Sequence, residues 1–98
     1  MTGAQSRLTL ALIARIPLEG VAEFQAYEAR VLPLIAAHGG ALERRLRNAD
    51  GSVELHIVSF PSDDAFAAFR TDPGRAAVAH LLEASGARTE LFTLQDVI

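Results

Sequence analysis

Side chains able to exchange protons or hold anions recur at alternate positions in one short stretch: Glu43, Arg45 and Arg47, then Glu54 and His56. Side chains alternate along a strand, so the charged members share one face while Leu42, Leu46, Val53, Leu55 and Ile57 share the other. Asn48-Ala49-Asp50-Gly51 between the two runs tolerates turn conformations, and residues 40–60 therefore predict a β-hairpin. A four-residue loop sets Arg45 opposite Glu54 and Glu43 opposite His56; a two-residue loop sets Arg45 opposite His56 instead. In either register an imidazole, a guanidinium and a carboxylate meet on one surface. Imidazole titrates near neutrality and serves as a general base, with its pKa raised by a carboxylate neighbour and lowered by an arginine. The catalytic candidates are thus His56, Arg45 and Glu54, with Glu43 beside them as a ligand-binding group. The alternative is structural: cross-strand ion pairs worth about 0.2–1 kcal/mol each, lining a contact between subunits.

Other titratable residues point elsewhere. Tyr27 shares a helical apolar stripe with Phe24 and Val31, as a core residue with a tethered hydroxyl or as a ligand-binding group. His38 falls where a helix ends, a favourable place for positive charge, and His80 reads as a partly exposed surface residue. The histidines form no i, i+4 pair, so no metal site is expected, and there is no glycine-rich phosphate loop to suggest a nucleotide cofactor. The chain has no cysteine, which excludes disulfides and thiolate chemistry, and no lysine for Schiff-base catalysis, its nine basic residues all being Arg. A net charge of −3 without a basic run argues against a nucleic-acid surface. No stretch approaches the roughly 20 apolar residues of a membrane span, and no basic segment followed by a long apolar run opens the sequence, so the expected location is the cytoplasm.

The elements that must position these residues follow from periodicity. Residues 7–16 alternate between two apolar sets, as in a central strand buried on both faces. From Glu19 the spacing of Val21, Phe24, Tyr27, Val31, Leu34 and Ile35 is helical as far as Gly39-Gly40, with a kink at Pro33. After the hairpin, Ser62 caps a short helix carrying Phe66 and Phe69 inward; Asp72-Pro73-Gly74 then restarts a helix running to Gly86. Residues 89–95 form a last strand of undecided facing. The order β-α-β-β-α-β in a 98-residue chain that is 50% hydrophobic predicts one α+β domain, residues 1–98, on the ferredoxin-like plan, with a four-stranded antiparallel sheet and both helices on one face. Because the first strand is apolar on both sides, the uncovered sheet face needs a second copy of the chain, and a homodimer is expected.

Tyr27-Glu28, Pro33 and Gly39-Gly40, followed by Phe60-Pro61-Ser62, Ala65, Phe69 and Asp72-Pro73, resemble the dimeric alpha-beta barrel superfamily and, within it, the domain-of-unknown-function family numbered thirteen-thirty. The resemblance implies two sheets packed face to face around a twofold axis, with a small ligand held between sheet and helices or between sheets. Relatives of that kind include cofactor-independent monooxygenases, muconolactone isomerases and polyketide cyclases. The lack of Trp and the single Tyr weaken the monooxygenase branch, which relies on several polar aromatics in its cavity. The leading expectation is a homodimeric small-molecule pocket protein, a cofactor-free lyase, isomerase or cyclase acting on a carbonyl substrate, with His56 as base and Arg45 as oxyanion partner. The runner-up is a non-catalytic binding or accessory module whose charged sheet face serves dimer assembly. What separates them is whether His56 reaches a cavity or is locked at a subunit contact.

Overall fold

The computed structural model describes residues 7–98; residues 1–6 of the expected domain lie outside the described residues. Strands β1 (Leu8–Arg15), β2 (Ala41–Arg47), β3 (Val53–Phe60) and β4 (Arg88–Leu94) form one antiparallel sheet in the order β2-β3-β1-β4. This is the ferredoxin-like α+β arrangement. The apolar β1 occupies the centre, as its sequence requires, between β3 and β4.

The first helical region is divided. A 3₁₀ turn at Leu18–Gly20 leads into α1 (Val21–Val31), and Pro33 opens α2 (Pro33–Ala37) at a position where its missing N–H costs nothing. Gly39, at φ +78°, ends α2 in the left-handed region that a Cβ disfavours, and the Gly40 N–H returns to the Ile35 carbonyl. The Ser62 hydroxyl accepts from the Ala65 N–H to cap α3 (Asp63–Arg70), and the Asp72 carboxylate accepts from the Gly74 N–H to cap α4 (Pro73–Ala76). The helix expected to run on to Gly86 instead breaks at Val78, which leaves helical backbone (φ −118°, ψ 11°) and is buried in the core; α5 (Ala79–Ser85) then starts afresh.

Helices and sheet enclose a core of Leu10, Val31, Ile35, Val58, Phe60 and Phe69. Cross-strand pairs share a face, so Leu10, Leu12 and Ala14 of β1, with Val58, His56 and Glu54 of β3, line the helix side. On β4 the inward residues are Thr89, Leu91 and Thr93, while Arg88, Glu90, Phe92 and Leu94 point away, which settles the facing that the sequence left open.

The hairpin carries three corrections. First, its charged face is the covered one: Glu54 and His56 are buried beneath the helices, while Leu46, Leu55 and Ile57 lie on the open face. Second, Arg45 stands opposite His56, the pairing expected of a two-residue loop, with Arg47 opposite Glu54, but the loop has four residues and lies at 49–52 rather than 48–51. The shift is held by Asn48, whose N–H donates to the Val53 carbonyl while its Oδ1 accepts from the Val53 N–H, and by Asp50, whose carboxylate accepts from Ser52. Third, a β-bulge between Leu42 and Arg44 breaks the alternation. Beyond it Leu42 pairs with Val58 on the helix side, and Glu43 is carried away from His56 to accept a 2.6 Å hydrogen bond from the Ser59 hydroxyl.

Candidate functional site

α1 packs its stripe of Phe24, Tyr27 and Val31 against the sheet, and Glu28 lies on the same stripe. Its carboxylate is therefore driven into the interior over β3, where it meets His56. The His56 Nε2 lies 2.6 Å from Glu54 Oε1 and 3.2 Å from Glu28 Oε2. Arg45 bridges the two carboxylates, its Nε donating to Glu54 Oε1 and its Nη2 to Glu28 Oε1, each at 2.9 Å. Arg47 Nε donates to the other Glu54 oxygen at 2.8 Å.

His56, Glu54 and Glu28 are 2%, 1% and 3% exposed, so these charges survive only by answering one another. Burial alone would depress the His56 pKa, but Glu28 and Glu54 outweigh it and raise the pKa above the ordinary 6.5. Glu54 runs the other way. Burial pushes it up, yet hydrogen bonds from Glu28, His56, Arg45 and Arg47 hold it far below the usual carboxylate range. Glu28 is raised, by burial first and by the adjacent Glu54, against the opposing pull of His56. Burial works against the Arg45 charge too, but Glu54 and Glu28 more than compensate. The arrangement is a proton-sharing group: Glu54 is held in its ionised form, while the neighbours of His56 and Glu28 shift the imidazole toward its charged form and the second carboxyl toward its neutral one.

Glu28 and His56 form part of the wall of a cavity of about 230 Å³ between helices and sheet. Most of that wall is apolar, with Phe24, Phe60, Phe66 and Phe69 among its side chains; Tyr27, Arg70, Arg75 and Thr89 add polar groups. Such a cavity, apolar with a few convergent polar groups, has the makeup of a small-molecule site.

The structure brings together His56, Arg45 and Glu54, and places Tyr27 in the same cavity wall with its hydroxyl accepting from Arg75 Nη2 at 3.1 Å. It separates Glu43 from them. Arg45, expected to meet a substrate oxyanion, is occupied by the two carboxylates and does not line the cavity. His38 lies at the end of α2 as expected and pairs with Asp72 at 2.7 Å, which holds the Asp72 carboxyl below its ordinary pKa. Two residues escaped the sequence reading. Glu28 had a signal, a charge inside an apolar stripe at helical spacing; Arg75 had none, because its approach to Tyr27 depends on how α4 docks.

Glu28, Glu54 and His56 present potential ligand atoms within 4.8 Å of one another, a set of types that could hold a divalent cation. The fit is poor: the carboxylate oxygens are already engaged by Arg45, Arg47 and His56, whose positive charges do the work a cation would do.

No family model and no curated protein matches the chain. Solved structures do. SnoaB, a cofactor-independent oxygenase from Streptomyces nogalater, is 26% identical, with 96% of this chain and 98% of that one covered at a TM-score of 0.71. Rv0793 from Mycobacterium tuberculosis is 16% identical, with 95% and 97% covered at a TM-score of 0.72. A nipsnap family protein of unknown function from Agrobacterium tumefaciens is 12% identical, with 96% and 94% covered at a TM-score of 0.62. The last two show the shared fold alone, and one fold hosts many chemistries.

Proposed function

We propose that the chain is a cofactor-free enzyme that moves a proton on a small, largely apolar carbonyl compound, with His56 as the group that takes and returns it. One observation carries the reading: a buried imidazole forms part of a cavity wall while its Nε2 is held by two carboxylates. With Nε2 engaged, Nδ1 has no hydrogen-bond partner among the described residues and is the nitrogen left for a substrate. In the neutral form of His56, reached as pH climbs through its raised pKa, Nδ1 removes a proton from the carbon beside the carbonyl, and the C–H electron pair moves onto the carbonyl oxygen as an enolate. The new imidazolium is stabilised by Glu54 and Glu28, the role an acidic partner plays for a catalytic histidine elsewhere. Returning the proton to another carbon gives an isomerase; attack of the enolate on a second carbonyl of the same molecule gives a cyclase. Arg45 acts in this scheme as a positioning residue that sets both carboxylates.

SnoaB favours a second reading that shares the first step: the carbanion gives its electrons to dioxygen rather than taking back a proton. The residues that resemble the family numbered thirteen-thirty support the wider placement among dimeric alpha-beta barrel proteins, and Glu28 is one of them. A homodimer belongs to the same proposal, because Ile57, Phe92 and Leu94 leave an apolar open face that suits a second sheet. The charged face is buried against α1 within one chain, so it does not serve as the assembly surface.

The test is proton exchange. Small aryl ketones incubated with the protein in deuterium oxide should gain deuterium beside the carbonyl, and His56→Gln should abolish the gain while the chain stays folded by circular dichroism. Exchange at the uncatalysed rate with every ketone offered would defeat the proposal. Oxygen uptake with a phenolic ketone, measured at an electrode, would move it to the second reading.

A further inference from the structure

Arg75 lies at the cavity in an unusual state. Its guanidinium carbon sits 4.8 Å from the centre of the Phe69 ring, and Nη2 donates to the Tyr27 hydroxyl. Its Nε is buried without an acceptor, and among the described residues no carboxylate comes within ion-pair distance of it. Arg45 and Arg47, by contrast, are answered by acids. A buried donor left unanswered costs stability and calls for a reason. Tyr27 shares the condition: its oxygen accepts from Arg75, and its own proton is given to no group among the described residues.

The geometry points to Arg75 and Tyr27 as an anion clamp, which fits the cavity to a planar aromatic body bearing one ionised oxygen group, a carboxylate, phenolate or enolate. This rests on the reading of the cavity as a small-molecule site and names the substrate class for it. The class follows from the wall. Phe24, Phe60, Phe66 and Phe69 offer ring faces and edges to an aromatic body, and a guanidinium stacked on one of those rings presents its N–H edge in the plane where a carboxylate or an enolate oxygen lies. Size narrows it further. At about 230 Å³ the cavity falls below the roughly 300–1,000 Å³ of drug-sized sites, so the occupant has one or two fused rings. Arg70, exposed over Phe66 at 5.4 Å and also at the cavity, adds positive charge where an anion would enter. The clamp is a separate pole from the His56 cluster, whose guanidinium groups are already neutralised. His56 and Arg75 thus line one cavity, and Arg75 is a cation there that no acid among the described residues has claimed.

Isothermal titration with 2-naphthoate and its neutral isostere 2-naphthamide tests the clamp. The wild type should bind the acid at least about tenfold more tightly than the amide, the worth of one charge-assisted hydrogen bond. Arg75→Met, which keeps an apolar stem against Phe69, should erase that preference and leave amide binding unchanged. Equal affinity for acid and amide in the wild type overturns the clamp while the cavity reading stands, and needs no variant. Binding of neither compound overturns both. A preference that survives in folded Arg75→Met assigns the anion to another cation and overturns the inference. Should Arg75→Met fail to fold, Tyr27→Phe replaces it: loss of acid affinity by a few fold with amide affinity intact supports the clamp, and no change refutes it.

Discussion

The sheet has two faces, and each carries what the other would be expected to carry. Toward the helices, where water is excluded, lie Glu54 and His56, with Arg45 and Arg47 reaching the Glu54 carboxylate. Toward the open side lie Leu46, Ile57, Phe92 and Leu94, with Phe92 still 46% exposed. Two physical solutions follow. The inner face tolerates charge because each ion answers another, so its stability is all or nothing: remove one member and the rest are buried without counter-charge. The outer face is incomplete within one chain, and its apolar groups gain only when a second surface arrives.

The strongest test of this contrast is Glu54→Ala. It leaves Arg45, Arg47 and His56 without their shared acceptor, and urea unfolding should show a loss of about 3–5 kcal/mol. A loss below about 1 kcal/mol would mean that the inner charges are solvated like surface ions. The pH dependence comes next. His56 has a raised pKa in the folded chain, so its contribution is complete below the ordinary 6.5 and is lost as pH climbs through the raised value. Glu54 is depressed, so its contribution is complete above the ordinary 4.5 and is lost as pH falls through its much lower folded value. Glu28, being raised, adds stability that is complete below the ordinary 4.5 and is lost as pH rises through its higher folded value. Urea midpoints should accordingly fall as pH rises above the ordinary 6.5 of a histidine, and His56→Gln should flatten that limb; an equally steep decline in the variant would place the titration elsewhere.

Glu43 separates the faces on a smaller scale. Glu43→Ala removes the bond to Ser59 on the outer side and should cost about 0.5–1.5 kcal/mol without altering the alkaline limb. A changed pH profile would return Glu43 to the His56 cluster. Phe92→Glu should affect the fold least, within about 0.5 kcal/mol, yet abolish dimerisation in sedimentation velocity. A dimer that persists through this substitution would show that some other surface holds the two copies.

How far the sequence discloses the molecule depends on range. The succession of strands and helices along the chain, the caps at Ser62 and Asp72, the exit at Gly39 and the interruption at Pro33 were all legible, because each rests on local chemistry within a few residues. Alternation in the hairpin divided the side chains of β3 correctly into two sets, but which set faces inward is decided by α1, and nothing within the hairpin reports it. The bulge at Glu43 left no mark either: a run of alternating residues reads the same whether or not one of them is skipped by the partner strand. Glu28 was visible as part of a resemblance and as a charge in an apolar stripe; its meaning came only with His56, 28 residues away in sequence and 3.2 Å away in space.

One consequence of the cavity wall is optical. The chain contains one tyrosine and no tryptophan, and that tyrosine is Tyr27, its hydroxyl against Arg75. All ultraviolet emission from the protein beyond the weak phenylalanine signal thus originates at a single ring in the cavity wall, and its quenching or recovery reports what occupies the cavity with no label attached.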